Sequence, residues 1–299
     1  MPIAPDIDHL RRWIGRQQRD SDTITPALVK RLRATLSGFT ELAGDADAAP
    51  PPGIHWCLAP PAVTHRELGV DGHPTTGGFL PPVPLSRRMW ASSRMQFLRA
   101  FAVDIPLEKV STIAEVVLKR SAASGPLVFV DIDHEYTQAG AALLCERQTL
   151  VYRQPSLATQ PSSVQQAATP PRSAARSLPV TPDNRLLFRY SALTFNGHRI
   201  HYDQRYATET EGYPALVVHG PLIATLLMNL AQAGHPQTPL RAFEFRAVAP
   251  AFVDEALQLT MHIDETAHAA DATCQLEASN PRGVVTMVAR AQFGGGSNL

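Results

Sequence analysis

The chain has 299 residues, 44% of them hydrophobic, enough for one large core or two of ordinary size. Twenty-seven Lys and Arg balance 27 Asp and Glu, so no global field recruits nucleic acid or an anionic membrane. No apolar run approaches the ~20 residues needed to span a bilayer, and the start, Met1-Pro-Ile-Ala-Pro-Asp-Ile-Asp-His, lacks the apolar stretch of a signal peptide. A cytoplasmic protein is expected. Cys57, Cys145 and Cys274 are far apart with no C-x-x-C spacing, which fits a reducing compartment without disulfides or a zinc site.

In the amino-terminal part, Thr25–Leu36 is predicted as an amphipathic helix opened by Thr25-Pro26. The polar turn Gly44-Asp-Ala-Asp-Ala-Ala-Pro-Pro-Pro follows, then strand-like stretches at Ser93–Phe101, Ser111–Arg120, Leu127–Tyr136 and Ala141–Tyr152. From Gln154 to Val180 the composition turns to Pro, Ser, Gln and Ala, which cannot bury enough apolar area to offset ordering entropy. This segment is read as a linker at 154–180 between two domains, 1–153 and 181–299.

In the second part, Leu186 to Tyr190 is a short apolar strand or the start of a helix, and an Asn/Gly/His turn follows. Pro221–Ala233 is apolar almost all round, with Pro at its first turn and Gly234 as its stop: a helix wrapped by a sheet. Strands are predicted at Leu240–Val248, Ala256–Asp264, Ala272–Ala278 and Gly283–Phe293. One buried helix followed by consecutive strands suggests an antiparallel sheet curled around a central helix, an α+β fold. The first part repeats that order more weakly, as a worn tandem duplication would.

Two segments carry chemistry. Arg189 to Ala207 presents His201 at the end of a short polar turn, and Leu216 to Ala224 contains a Gly220-Pro221 helix start whose free backbone N–H can hold a developing oxyanion. A base beside an oxyanion donor is what water addition to an α,β-unsaturated thioester requires, or the reverse elimination. The eleven histidines are dispersed without H-E-x-x-H or similar spacing, so no metal site and no cofactor is expected.

Tyr190 to Ala207 resembles the signature of the MaoC-like, hot-dog-fold enoyl-thioester hydratases, whose turn reads G-D-x-N-P-x-H. Ser191-Ala-Leu-Thr-Phe-Asn-Gly-His-Arg-Ile-His-Tyr-Asp looks like the double-hot-dog branch of mesaconyl-C4-CoA and itaconyl-CoA hydratases, with mitochondrial-type 3-hydroxyacyl-thioester dehydratases as relatives. Gly78-Phe-Leu-Pro-Pro-Val-Pro-Leu-Ser-Arg-Arg-Met-Trp-Ala-Ser-Ser-Arg looks typical of the same branch. The resemblance implies a tandem hot-dog fold with a catalytic carboxy-terminal unit and a degenerate amino-terminal unit that binds the acyl and CoA groups. CoA is then part of the substrate, and a homodimer is open as the assembly.

The chain departs from the motif at one position. Asn196 stands where the pattern has its aspartate, His198 where it has asparagine, and Arg199 where it has proline. An amide cannot take a proton at neutral pH, so Asn196 is expected to orient water through its carbonyl oxygen while His201 carries the proton. Gly220 N–H is the expected oxyanion donor. His198 is read either as support for His201 or as solvent-facing.

Arg199 and Arg205 suit a terminal carboxylate, or are solvated. Arg87, Arg88 and Arg94 suit CoA phosphates, or form a solvated charge run. Tyr202 and Trp90 are read as pocket wall or core. The expected reaction is reversible hydration of a 2-enoyl-CoA. The alternatives are a dehydratase of 3-hydroxyacyl groups on CoA or acyl carrier protein, a non-catalytic acyl-thioester binding subunit, and a thioesterase.

Overall fold

Asp6 accepts a hydrogen bond from His9 N and caps the short helix α1 (Ile7–Arg11), which leads into strand β1 (Gln17–Thr23). The computed structural model describes residues 5–41, 49–121, 125–154, 174–263 and 272–294. Thr25 caps α2 (Pro26–Leu36) by accepting from Leu28 N, as its Thr-Pro start predicts. A 3-10 turn (Ile54–Cys57) precedes β2 (Arg87–Phe97), β3 (Pro106–Ser121), β4 (Gly125–Gln138) and β5 (Ala141–Arg153). The second half runs β6 (Arg176–Val180), α3 (Asn184–Thr194), α4 (Gly220–Gly234), β7 (Leu240–Ala247), β8 (Leu257–Ile263), β9 (Thr273–Ser279) and β10 (Val285–Phe293).

All ten strands join one antiparallel sheet in the order β1-β3-β4-β5-β2-β7-β10-β9-β8-β6. Read outward from the centre, each half has the same plan: β2-β5-β4-β3-β1 on one side and β7-β10-β9-β8-β6 on the other. β2 and β7 pair directly, Ser93 opposite Phe245 and Met95 opposite Phe243, so one continuous sheet crosses the junction. The tandem hot-dog expectation describes this architecture.

The repeat also corrects two readings. Arg176–Val180, assigned to the linker, is the edge strand β6, paired to β8 with Pro179 opposite Gln258. An edge strand tolerates a proline that the interior of a sheet would not. The remainder of that linker, 155–173, and residues 44–48 of the polar turn lie outside the described residues. The second correction concerns the helices. α2 follows β1 as α3 follows β6, and the two pack on each other.

α2 is thus the counterpart of α3, not of the central helix. α4 packs against β7, β8, β9, β10 and β6, and it is buried continuously from Leu222 to Ala231. Its counterpart by position in the first half is the single turn Ile54–Cys57, buried at every residue. A four-residue turn in place of a fifteen-residue helix cannot fill the concave face of its sheet. The segment around Val83 and Leu85, together with Leu10 of α1, covers part of that face against Ile113, Val128 and Val130. The rest borders a cavity.

Candidate active site

α3 ends where Phe195 takes a left-handed conformation (φ 50°) and donates its N–H to Ser191 O. Asn196 then uses its side-chain oxygen to accept His198 N at 3.0 Å, an Asx turn that feeds a 3-10 turn over Arg199–His201. The oxygen expected to orient water is therefore engaged by the backbone. The turn is pinned from below as well: Val217 N donates to Ile200 O at 3.0 Å.

His201 is buried, 7% exposed, and lines the cavity. Its Nδ1 lies 2.7 Å from Val217 O. A carbonyl only accepts, so Nδ1 carries the hydrogen and Nε2 keeps a free lone pair. Burial lowers its pKa to about 4, opposed by the Val217 hydrogen bond and assisted by His73, so the ring is neutral at pH 7. Its other face stacks on His219, with ring centres 3.7 Å apart and planes at 19°.

His219 is fully buried, packs near Tyr190, and holds Nε2 2.8 Å from Ser191 Oγ. Burial, then the neighbouring His201, keeps its pKa well below the ordinary value. It also stands at the N-cap position of α4 without a side-chain cap bond, which leaves Gly220 N among the unpaired donors of the first helical turn. A Cβ built on Gly220 meets nothing within 4 Å, so the space beside that N–H is open. His201 and the start of α4 thus sit side by side.

His198 faces inward, with its ring 5.3 Å from that of His201. The ring of His73 from the first half lies 4.0 Å from that of His198. His73 Nδ1 meets Asp71 Oδ2 at 3.0 Å, and Asp71 Oδ1 also accepts His73 N. Burial tends to raise the Asp71 carboxyl, but the His73 hydrogen bond and the charges of His73 and Arg88 outweigh it and hold it low. The carboxylate is ionised and accepts, so His73 also carries its hydrogen on Nδ1.

Donor atoms of Asp71, His73 and His198 lie within 4.8 Å of one another, the one grouping among the described residues that could hold an ion. The Asp71–His73 hydrogen bond already satisfies two of the three. The Arg88 charge that depresses both His73 and His198 also disfavours a cation there.

The arginines separate sharply. Arg87 is buried against Glu211, with Nε 2.8 Å from Oε2 and a second contact to Glu211 O, and it lies over the Tyr213 ring. Its charge is spent joining the two halves. Arg88 lines the cavity beside the Asp71–His73 pair. Arg94 is 79% exposed and meets Glu244. It does not line the cavity, which removes it from the phosphate-binding set.

Arg199 grips Asp203 through Nε and Nη2, donates Nη1–H to Val70 O and stacks on Tyr206. It fastens the first-half loop and does not face substrate space. Arg205 pairs with Glu209 on the surface. Neither arginine awaits a carboxylate. Tyr202, half exposed, and Phe188 and Phe195 stand at the cavity rim, while Trp90 packs with Trp56 and Phe245.

The cavity, about 1860 Å³, runs from His201 into the first half. There its wall is polar. Ser111 Oγ donates to His134 Nδ1 (2.7 Å), and His134 Nε2 donates to Gln148 Oε1 (3.2 Å). Glu146 accepts from Trp56 Nε1 and Ser93 Oγ, and burial raises its pKa. Lys109 projects from β3 over the Tyr136 ring, and no ion pair involves it among the described residues. None of Asp71, His73, Lys109, His134 or His219 was singled out from sequence. The one signal available was Val217-Val-His-Gly-Pro, which sets His219 at the helix start.

The family model for hydroxyacyl-thioester dehydratase type 2 matches residues 53–253, spanning both halves and the site. The chain is 40% identical to the mesaconyl-C(4)-CoA hydratase of Chloroflexus aurantiacus over 95% of its own length and 97% of the relative's. A solved MaoC-like dehydratase superposes with a TM-score of 0.72 at 12% identity, covering 96% of this chain and all of that one. A Mycobacterium tuberculosis protein described as a double hotdog fold superposes at 0.60 and 14% identity, covering 94% and 96%. No helix among the described residues is long and apolar enough to cross a membrane. The chain therefore belongs to the hydroxyacyl-thioester dehydratase type 2 family, a hydro-lyase of the MaoC-like enoyl-thioester hydratase and dehydratase type with a double hot-dog fold.

Proposed function

We propose that the protein hydrates a short, branched dicarboxylic 2-enoyl-CoA, of the mesaconyl-C4-CoA or itaconyl-CoA kind, to a citramalyl-CoA-type product. The observation that carries the acyl class is Lys109 in the cavity wall, among Ser111, His134 and Gln148. A tunnel for a fatty acyl chain would be apolar at that depth. A half-buried ammonium with hydrogen-bonding neighbours instead suits a carboxylate at the far end of a short acyl group.

The chemistry falls to the second half. Neutral His201 takes a proton from water through Nε2 as the oxygen attacks the β-carbon, a role worth roughly 10²–10⁴-fold. Gly220 N–H, at the positive end of α4, stabilises the charge that develops on the thioester oxygen. Asn196 shapes the turn by capping His198 N, which fixes His201 without moving protons. The first half, 1–153, holds the acyl group, and Arg88 is the basic group of the Arg87-Arg88-Arg94 set left to meet a CoA phosphate.

The test is turnover of mesaconyl-CoA against crotonyl-CoA and longer enoyl-CoAs, followed by loss of the conjugated thioester absorbance. Preference for the dicarboxylic substrate supports the reading. A preference rising with chain length favours a fatty-acyl dehydratase. Release of free CoA thiol marks thioester hydrolysis instead.

A further inference from the structure

Water addition of this kind needs two acceptors on one water: one to take a proton, one to hold the other O–H so that the oxygen lone pair faces the β-carbon. On the turn that carries His201, the other acceptors already hold partners. Asn196 Oδ1 is bonded to His198 N, and Asp203 is paired with Arg199 and caps Tyr206 N. The second acceptor has to come from elsewhere on the cavity wall.

The first half delivers one. The loop around Asp71 is seated on the catalytic turn by Arg199 N to Asp71 O (2.8 Å) and Arg199 Nη1 to Val70 O (3.0 Å). Gly72 and Gly197 meet backbone to backbone, since a Cβ on Gly72 would lie 1.9 Å from Gly197 O. This close approach brings the ring of His73 to 4.0 Å from that of His198, which is itself 5.3 Å from the ring of His201, and all three line one cavity. His73 and His201 are built alike. Each donates Nδ1–H to a fixed oxygen, Asp71 Oδ2 or Val217 O, and each leaves Nε2 as an acceptor in the same cavity. The ring of His198 neighbours both and has no carboxylate to set its tautomer.

We propose that His73, oriented by Asp71, is a second catalytic residue that replaces the carboxylate missing at Asn196, so that the reacting water is held between one histidine from each half of the chain. The proposal rests on the hydratase reading above. In the step, an O–H bond of water breaks and its proton goes to His201 Nε2. The oxygen bonds to the β-carbon, and the alkene pair moves into the thioester enolate. The protonated His201 then returns that proton to the α-carbon and the thioester C=O re-forms. His73 Nε2 accepts a hydrogen bond from the remaining O–H throughout, with no net gain or loss of a proton. Asp71 is a positioning residue.

The experiment compares wild type, His73→Gln, Asp71→Asn and His73→Ala in the full chain, with mesaconyl-CoA and crotonyl-CoA as probes. His73→Gln is expected to lower kcat about 100-fold with KM within about threefold, and Asp71→Asn to lower it about tenfold. Added imidazole is expected to restore part of kcat to His73→Ala, which a purely structural role would not allow. If His73→Gln does not fold, the isosteric Asp71→Asn carries the test through its kcat. An active wild type with His73→Gln or Asp71→Asn at near-normal kcat overturns this proposal alone. A wild type inactive on every enoyl-CoA overturns the hydratase reading and this proposal with it.

Discussion

Gly72 and Gly197 lie 125 residues apart in sequence (197 − 72) and touch through their backbones. A Cβ on Gly72 would sit 1.9 Å from Gly197 O, and one on Gly197 would sit 2.9 Å from Gly72 O. Gly72 also has φ 87°, where L side chains are strained. Gly38 has nearly the same φ, 86°, but open space around it. Gly38→Ala is therefore expected to cost about 1 kcal/mol and leave activity intact. Gly72→Ala is expected to cost about 1–3 kcal/mol more and to lose hydratase activity, because the loop must lift from the turn that carries His201. Urea unfolding and turnover of the pair decide it. Equal effects at both positions would mean the contact is unimportant.

The ion pair of Arg87 with Glu211 makes a different prediction from a phosphate-binding role. Both side chains are nearly buried, at 11% and 13% exposure. Removing either partner strands a charge, at about 3–5 kcal/mol. Arg87→Met and Glu211→Gln are expected to lower stability by similar amounts, and Arg94→Ala to change neither stability nor KM. A raised KM for acyl-CoA in Arg87→Met at unchanged stability would return Arg87 to the phosphate-binding set.

Much of this was legible in the chain. The α4 helix, the four strands after it and the Thr25-Pro26 helix start were all read within a few residues, because sustained apolar patterning and caps are local signals. α3 is ambiguous between strand and helix in the sequence because Leu186–Tyr190 is too short an apolar run to show its period. β1, Gln17–Thr23, carries no apolar residue and gave no signal. It is an edge strand that pairs along only one side, with β3. His201 and Gly220 were marked as candidates by local motifs. Asp71, His73 and Lys109 were not, because the sheet junction and a glycine contact bring them to the site, and neither leaves a periodic trace.

Lys109 gives the sharpest test of acyl selectivity. Burial lowers its pKa, while Glu146, Asp20 and Asp22 act to keep its charge. Lys109→Met retains the stem and removes the ammonium, so the fold is expected to hold or to gain stability. Turnover of mesaconyl-CoA is expected to fall by roughly 10–100-fold in kcat/KM as a charge-assisted hydrogen bond is lost. Crotonyl-CoA, which has no second carboxylate, is expected to change by less than about threefold. A parallel loss on both substrates would show that Lys109 serves the cavity and not selectivity.

The buried histidines set the acid response of the fold. His55 and His134 have pKa values lowered to about 3 and His201 to about 4, in each case chiefly by burial. Each folded value lies below the unfolded value of about 6.5. Between those limits the unfolded chain binds protons that the folded chain refuses, so stability falls as pH drops below 6.5 and keeps falling toward pH 4 and 3. Each group contributes about 1–2 kcal/mol of loss between pH 7 and pH 5. Glu146 acts in the opposite sense, since burial raises its carboxyl and a raised acid gains folded-state protons first as pH falls. His73, His198 and His219 are lowered in the same way, so the histidines outweigh that one carboxyl and leave a net loss. Urea midpoints measured at pH 7, 6 and 5 are expected to decline steadily, and His134→Gln is expected to shrink that decline by one histidine's share. A midpoint that is flat or rises toward pH 5 would mean that these rings are protonated in the fold, and the neutral-base role of His201 would fall with it.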